Sequence, residues 1–138
     1  MKKLLIFVFV LTAALVSTCA HAQMVIANNS VKASDVSKSD LRDVFTGASA
    51  SLADGSRVVP VLLKSGWTHE AFLSEYVGKT GAALAATWRS LVFSGQRSMP
   101  KSVDSDAAMV EYVAKTPGAI GYIGKASPHE GVKVLTVK

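Results

Sequence analysis

The N-terminus decides how the rest of the chain must be held together. Lys2 and Lys3 precede an apolar run from Leu4 to Val16, and Ala20-His21-Ala22 follows it. A basic start, a greasy stretch and a small-x-small tripeptide are the parts of a secretory signal peptide in their usual order, with cleavage expected after Ala22. The run is broken by Thr12 and closes at Ser17 and Thr18, short of the ~20 apolar residues that a membrane-spanning helix needs. Cys19 raises the alternative of a lipidated N-terminus, but Thr18 stands before it where Gly, Ala or Ser is usual. The expectation is a signal over residues 1–22, a periplasmic mature chain over residues 23–138, and no span in that mature chain.

Removing 22 of the 138 residues leaves 116, none of them cysteine, so neither disulfides nor thiolate metal sites can support the fold. Stability has to come from an ordinary core. A chain of this size buries about two-thirds of its unfolded surface, which is sufficient for one domain. Without Lys2 and Lys3 the formal charge falls from +5 to +3, with 13 basic side chains scattered from Lys32 to Lys138. No basic run or aromatic-interleaved stripe is present, which argues against nucleic acid as a partner.

Apolar periodicity alternates between two kinds along the chain. Met24 to Ala27 is a short apolar run closed by Asn28-Asn29-Ser30, as expected of a buried strand and a turn. Ser39 is placed to cap a helix that carries Leu41, Val44 and Phe45 and stops at Thr46-Gly47. After the Ala53-Asp54-Gly55-Ser56 turn, Arg57 to Leu63 reads as a strand, with Pro60 demanding an edge or an irregularity. One helix then carries Phe72, Leu73, Tyr76 and Val77 up to Gly78. Thr80 caps another with Leu84, Trp88, Leu91 and Val92 on one face, ended by Ser94-Gly95. Gln96 to Lys101 reads as an exposed basic loop, and Ser105-Asp106 opens a helix with Val110 and Val113 inward. Ala119 to Ile123 and Val132 to Val137 are the remaining strands. Strands alternating with helices imply a layered α/β domain.

The ordered segments Asp40-Leu41-Arg42-Asp43-Val44-Phe45-Thr46-Gly47, Asp54-Gly55-Ser56, Val58-Val59-Pro60-Val61, Lys64-Ser65-Gly66-Trp67-Thr68 with Phe72, and Thr116-Pro117-Gly118-Ala119-Ile120-Gly121-Tyr122-Ile123 carry a family resemblance. Together they resemble the phosphate-type periplasmic substrate-binding proteins of ABC transporters, and Pro-Gly-Ala-Ile-Gly-Tyr is the most specific of them. The resemblance implies one lobe of a type II periplasmic-binding-protein-like fold, a small mixed sheet flanked by helices. Full-length members are two-lobed and roughly two to three times longer, and pockets normally enclose most of a small ligand, so a single lobe offers half a pocket. Their anion loop reads Arg-Ser-Asp-Gly-Ser-Gly-Thr-Thr, where this chain has Lys64-Ser65-Gly66-Trp67-Thr68. Lysine supplies charge without the planar fork that grips phosphate oxygens.

Lys64, Ser65, Gly66, Trp67 and Thr68 form the candidate ligand site, because a strand there hands over to a helix and backbone N–H groups, two hydroxyls and an ammonium can converge on an oxyanion. The alternative for the same residues is structural: Ser65 or Thr68 caps the helix, Gly66 relieves the turn and Trp67 packs on the core edge. Arg97 and Lys101 flank a loop that could swing toward the anion. His69-Glu70 and His129-Glu130 have no recognised ligand spacing and read as exposed histidines rather than a metal site. No Gly-x-Ser-x-Gly, His-Glu-x-x-His or Gly-x-x-x-x-Gly-Lys pattern occurs, so no catalytic residues and no cofactor are assigned. The leading expectation is a non-catalytic, substrate-binding-like protein that takes phosphate or another oxyanion weakly and is linked to ABC transport. The alternative is an exported interaction module that docks another protein or a second copy of itself.

Overall fold

The computed structural model describes residues 23–138, so the expected signal peptide and Cys19 lie outside the described residues. Six strands and four helices follow one another as β1 (Gln23–Ala27), β2 (Asp35–Val36), α1 (Lys38–Phe45), β3 (Val59–Leu63), α2 (Trp67–Phe72), α3 (Gly81–Phe93), β4 (Lys101–Val103), α4 (Asp106–Lys115), β5 (Ala119–Gly124) and β6 (Lys133–Val137). A π-helical turn over Leu73–Val77 prolongs α2 and ends at Gly78. No helix among the described residues is long and apolar enough to cross a membrane.

The strands form one mixed sheet in the order β2-β6-β1-β5-β3-β4. β1 runs antiparallel to both its neighbours, β5 and β6, whereas β3 runs parallel to β5 and β4, and β2 parallel to β6. β1 and β5 are the two central strands, and Ala119 to Ile123 of β5 are all buried. Alternation sends successive side chains of β5 to opposite faces: Gly121 lies under Met109 of α4, while Tyr122 packs against Phe45 of α1 and Phe72 of α2. Helices therefore cover both faces, which is why the parallel strands read as continuous apolar runs rather than alternating ones.

Local chemistry accounts for the helix boundaries. Thr80 and Ser105 cap α3 and α4 through bonds from Ala83 N and Ala108 N, as the sequence indicates. For α1 the cap is Ser37 rather than Ser39: its hydroxyl accepts from Asp40 N, and Ser39 already lies inside the helix. At the far end of α4, Asn28 donates to the carbonyls of Val113 and Ala114, acceptors that a helix end leaves over. Trp88 of α3 donates its indole N–H to Phe45 O at 2.8 Å and so fastens α3 to the end of α1.

Pro60 is on an inner strand and carries the irregularity expected of it: β4 begins opposite Val61 and Val59 N bonds toward β5, so the nitrogen of Pro60 faces the side where no ladder has yet started. Three further expectations need correction. The Gln96 to Lys101 loop ends one residue early, in β4. Met109, not Val110, joins Val113 as the buried residue of α4. Val92 is 39% exposed; Leu84 and Trp88 are the buried residues of α3.

A Cβ at position 121 would fall 2.5 Å from Met109 Sδ, and Met109 is itself completely buried. Gly121→Ala is expected to destabilise the protein by about 1–3 kcal/mol through overpacking. In a urea double-mutant cycle with Met109→Ala, the double variant should lose less than the sum of the two single losses.

Candidate functional site

The parallel strands β5, β3 and β4 end on the same side of the sheet, and three loops leave from there: Lys64 to Gly66 after β3, Asp104 and Ser105 after β4, and Lys125 to Ser127 after β5. In open α/β sheets the crevice beyond the carboxyl ends of such strands is where ligands sit. The N-termini of α2 and α4 both open into it, each adding the partial positive charge of a helix start.

β3 and β5 pair only through Val59–Ala119 and Pro60–Ile120 and then part. The N–H of Leu63 would be left over by that separation, and Tyr122 Oη accepts it at 3.0 Å. The same hydroxyl hydrogen-bonds with His69 Nδ1, 2.5 Å away, the His69 tautomer setting which of the two donates. Burial holds His69 below its ordinary value of 6.5, against an opposing pull from the Glu70 carboxylate. Burial likewise pushes the Tyr122 hydroxyl up, partly offset by the Leu63 N–H. The expectation of an exposed His69 was therefore wrong: it is 6% exposed and bonded to a residue 53 positions away. His129 is exposed, as expected.

This buried pair fixes the start of α2 and with it the five candidate residues. Lys64 donates its backbone N–H to Val103 O, and its exposed ammonium lies 3.1 Å from Asp104 Oδ1. Ser65 is exposed beside it. Gly66 is the N-cap residue of α2, with φ +103°, a conformation that side chains resist. Neither Ser65 nor Thr68 caps the helix; no side chain does, whereas Ser37, Thr80 and Ser105 cap the other three. Trp67 is 66% exposed rather than packed on the core edge. Thr68 is half-buried, its hydroxyl facing Gly124.

Residues that the sequence reading missed complete the wall. Asp106, in the first turn of α4, accepts from Gly124 N at 3.0 Å and from Ser127 Oγ at 2.5 Å. Asp104 neutralises Lys64. The only signal for either was Ser105-Asp106 as a helix opening, which explains a cap and not a site. Arg97 and Lys101 do not reach this crevice. Arg97 is tied to Gly47 O, and Lys101 begins β4 at the opposite end of the sheet. A surface groove of about 450 Å³ borders Trp67, but Glu70 and Glu75 line it, which makes it unsuited to an anion.

No family model matches the chain, and no curated protein matches it. Solved structures do. A Clostridium perfringens protein, regarded as a phosphate ABC transporter substrate-binding protein and solved with bound phosphate, superposes with a TM-score of 0.65 at 18% identity over 83% of this chain and 44% of its own. The chain has the fold of one lobe of a phosphate-type substrate-binding protein. An ABC-type phosphate transport receptor from Vibrio cholerae gives 0.65 at 17% identity over 83% of this chain and 45% of its own. PstS from Borrelia burgdorferi gives 0.64 at 19% identity over 85% and 47%. This lobe thus spans less than half the length of each of these proteins, and the resemblance seen in the sequence holds at the level of the fold.

The His69 geometry has a pH consequence. Because the folded value lies below 6.5, the unfolded chain binds the proton more readily. The His69 contribution is therefore intact above pH 6.5, declines as the pH falls below it, and levels off beneath the folded value. Urea midpoints measured from pH 8 to pH 5 should fall, and His69→Gln should flatten that part of the profile.

Proposed function

We propose that this protein is a non-catalytic substrate-binding lobe of the periplasm that recognises an oxyanion such as phosphate, as part of ABC transport, through Lys64, Ser65, Gly66, Trp67 and Thr68. One observation carries the reading. α2 begins at an exposed glycine with no side-chain cap, two residues after Lys64, at the carboxyl end of a parallel strand. Such a helix start supplies amides and positive potential to an anion in one place. The phosphate bound in the C. perfringens relative gives the ligand class its support.

The wall also accounts for weak binding. Asp104 already holds the Lys64 ammonium, and the Asp106 carboxylate already occupies the start of α4. An incoming anion must compete with the first and approach the second. A single wall in addition leaves one side of the ligand in water, where charge pairs are worth little.

A second reading, docking onto another protein or a second copy of this chain, is favoured by Trp67, a large aromatic side chain standing 66% exposed on the same wall.

Calorimetric titration with phosphate tests the first reading. Saturable heat is expected that Lys64→Ala abolishes and Asp104→Asn strengthens by about two- to fivefold, because the competing carboxylate is gone. Absence of heat at millimolar phosphate, in the protein and in Asp104→Asn alike, would reject the anion site and leave the docking reading.

A further inference from the structure

At the opposite end of β3 and β4 from Lys64 lies a second concavity, an open groove of about 380 Å³. Its floor is apolar and closed, formed by Val58 and Trp88, which are 4% and 3% exposed. Met99, 54% exposed, and Tyr112 stand on its walls. Arg97 and Lys101 are its two charged lining residues, and no Asp or Glu lines it.

Both cations are held in place without being neutralised. Arg97 donates Nε to Gly47 O at 3.1 Å and Nη1 to Gln96 O at 3.3 Å, both neutral carbonyls. The Lys101 ammonium stands 5.8 Å from the centroid of the Tyr112 ring. Neither takes part in an ion pair among the described residues. An apolar bed with a fixed positive rim and no carboxylate matches a ligand that is apolar along its body and anionic at one end.

The size and the backbone decide what kind of ligand that is. A groove of this volume falls within the range of small-molecule sites. An extended peptide is poorly served, because β4 has three residues and Pro100, just before it, has no N–H to offer an added strand.

We propose that this groove binds a small amphiphilic carboxylate, its hydrocarbon body over Trp88 and Met99 and its carboxylate between Arg97 and Lys101. The site is separate from the oxyanion wall and stands or falls independently of it. Trp88 on the groove floor supplies a reporter, and since Trp67 is the other tryptophan, Trp67→Phe isolates it.

In that background, titration with sodium octanoate should give a saturable change in Trp88 fluorescence, unaffected by excess phosphate. 1-Octanol, with the same chain and no charge, should bind about tenfold more weakly. Arg97→Gln should erase that preference, as should Lys101→Glu, which alters an exposed side chain and leaves the carbonyl contacts of Arg97 intact. Absence of a saturable signal, equal affinity for octanol, displacement by phosphate, or unchanged octanoate affinity in both variants would each overturn the proposal.

Discussion

Tyr122 joins the parts of this protein that have to meet for a site to exist. Its ring is fully buried, stacked on Phe72 at 3.9 Å between centroids and met edge-on by Phe45 at 5.7 Å. Its hydroxyl takes the N–H of Leu63 that the parting of β3 and β5 strands, and faces His69 in the first turn of α2. An aromatic core contact and a buried polar pair therefore act at the same residue, and the polar half is costly to leave unmade. Lys64 and Gly66 sit between the two elements that Tyr122 ties together. Their position on the surface is a consequence of the core beneath them.

Electrostatics then limits what that surface can do. The start of α2 carries no side-chain cap, but Asp104 and Asp106 stand within the same wall. Each carboxylate takes up part of the positive potential that a ligand would otherwise meet. The solved proteins that share this fold are more than twice as long as the region they share with it. In the proposed reading, anion binding is a balance between an uncapped helix start and the lobe's own carboxylates.

How much of this was legible beforehand follows from the range of each interaction. Thr80 and Ser105 announce their helices because a cap acts within three residues. Ser37 and Ser39 offer the same chemistry two positions apart, and only the backbone shows which one precedes the first turn. β2 is two residues long, Asp35 and Val36, too short for any alternation to show. The sheet face of Tyr122 and the burial of His69 were out of reach, since their partners lie 53 residues apart. Lys64 to Thr68 could be placed at a strand-to-helix junction, yet the pairing of Lys64 with Asp104, 40 positions later, depends on β3 and β4 lying side by side. Local periodicity carries no trace of that neighbour.

The most direct test of the central claim is where phosphate touches the protein. Backbone amide shifts of the isotopically labelled chain, followed by NMR during a phosphate titration at constant ionic strength, report this residue by residue. Saturable shifts concentrated at Gly66, Thr68 and Ser105, on the two helix starts beyond β3 and β4, are the predicted result. Shifts that are absent, that rise without saturation, or that cluster away from those residues would contradict an oxyanion site at this end of the sheet.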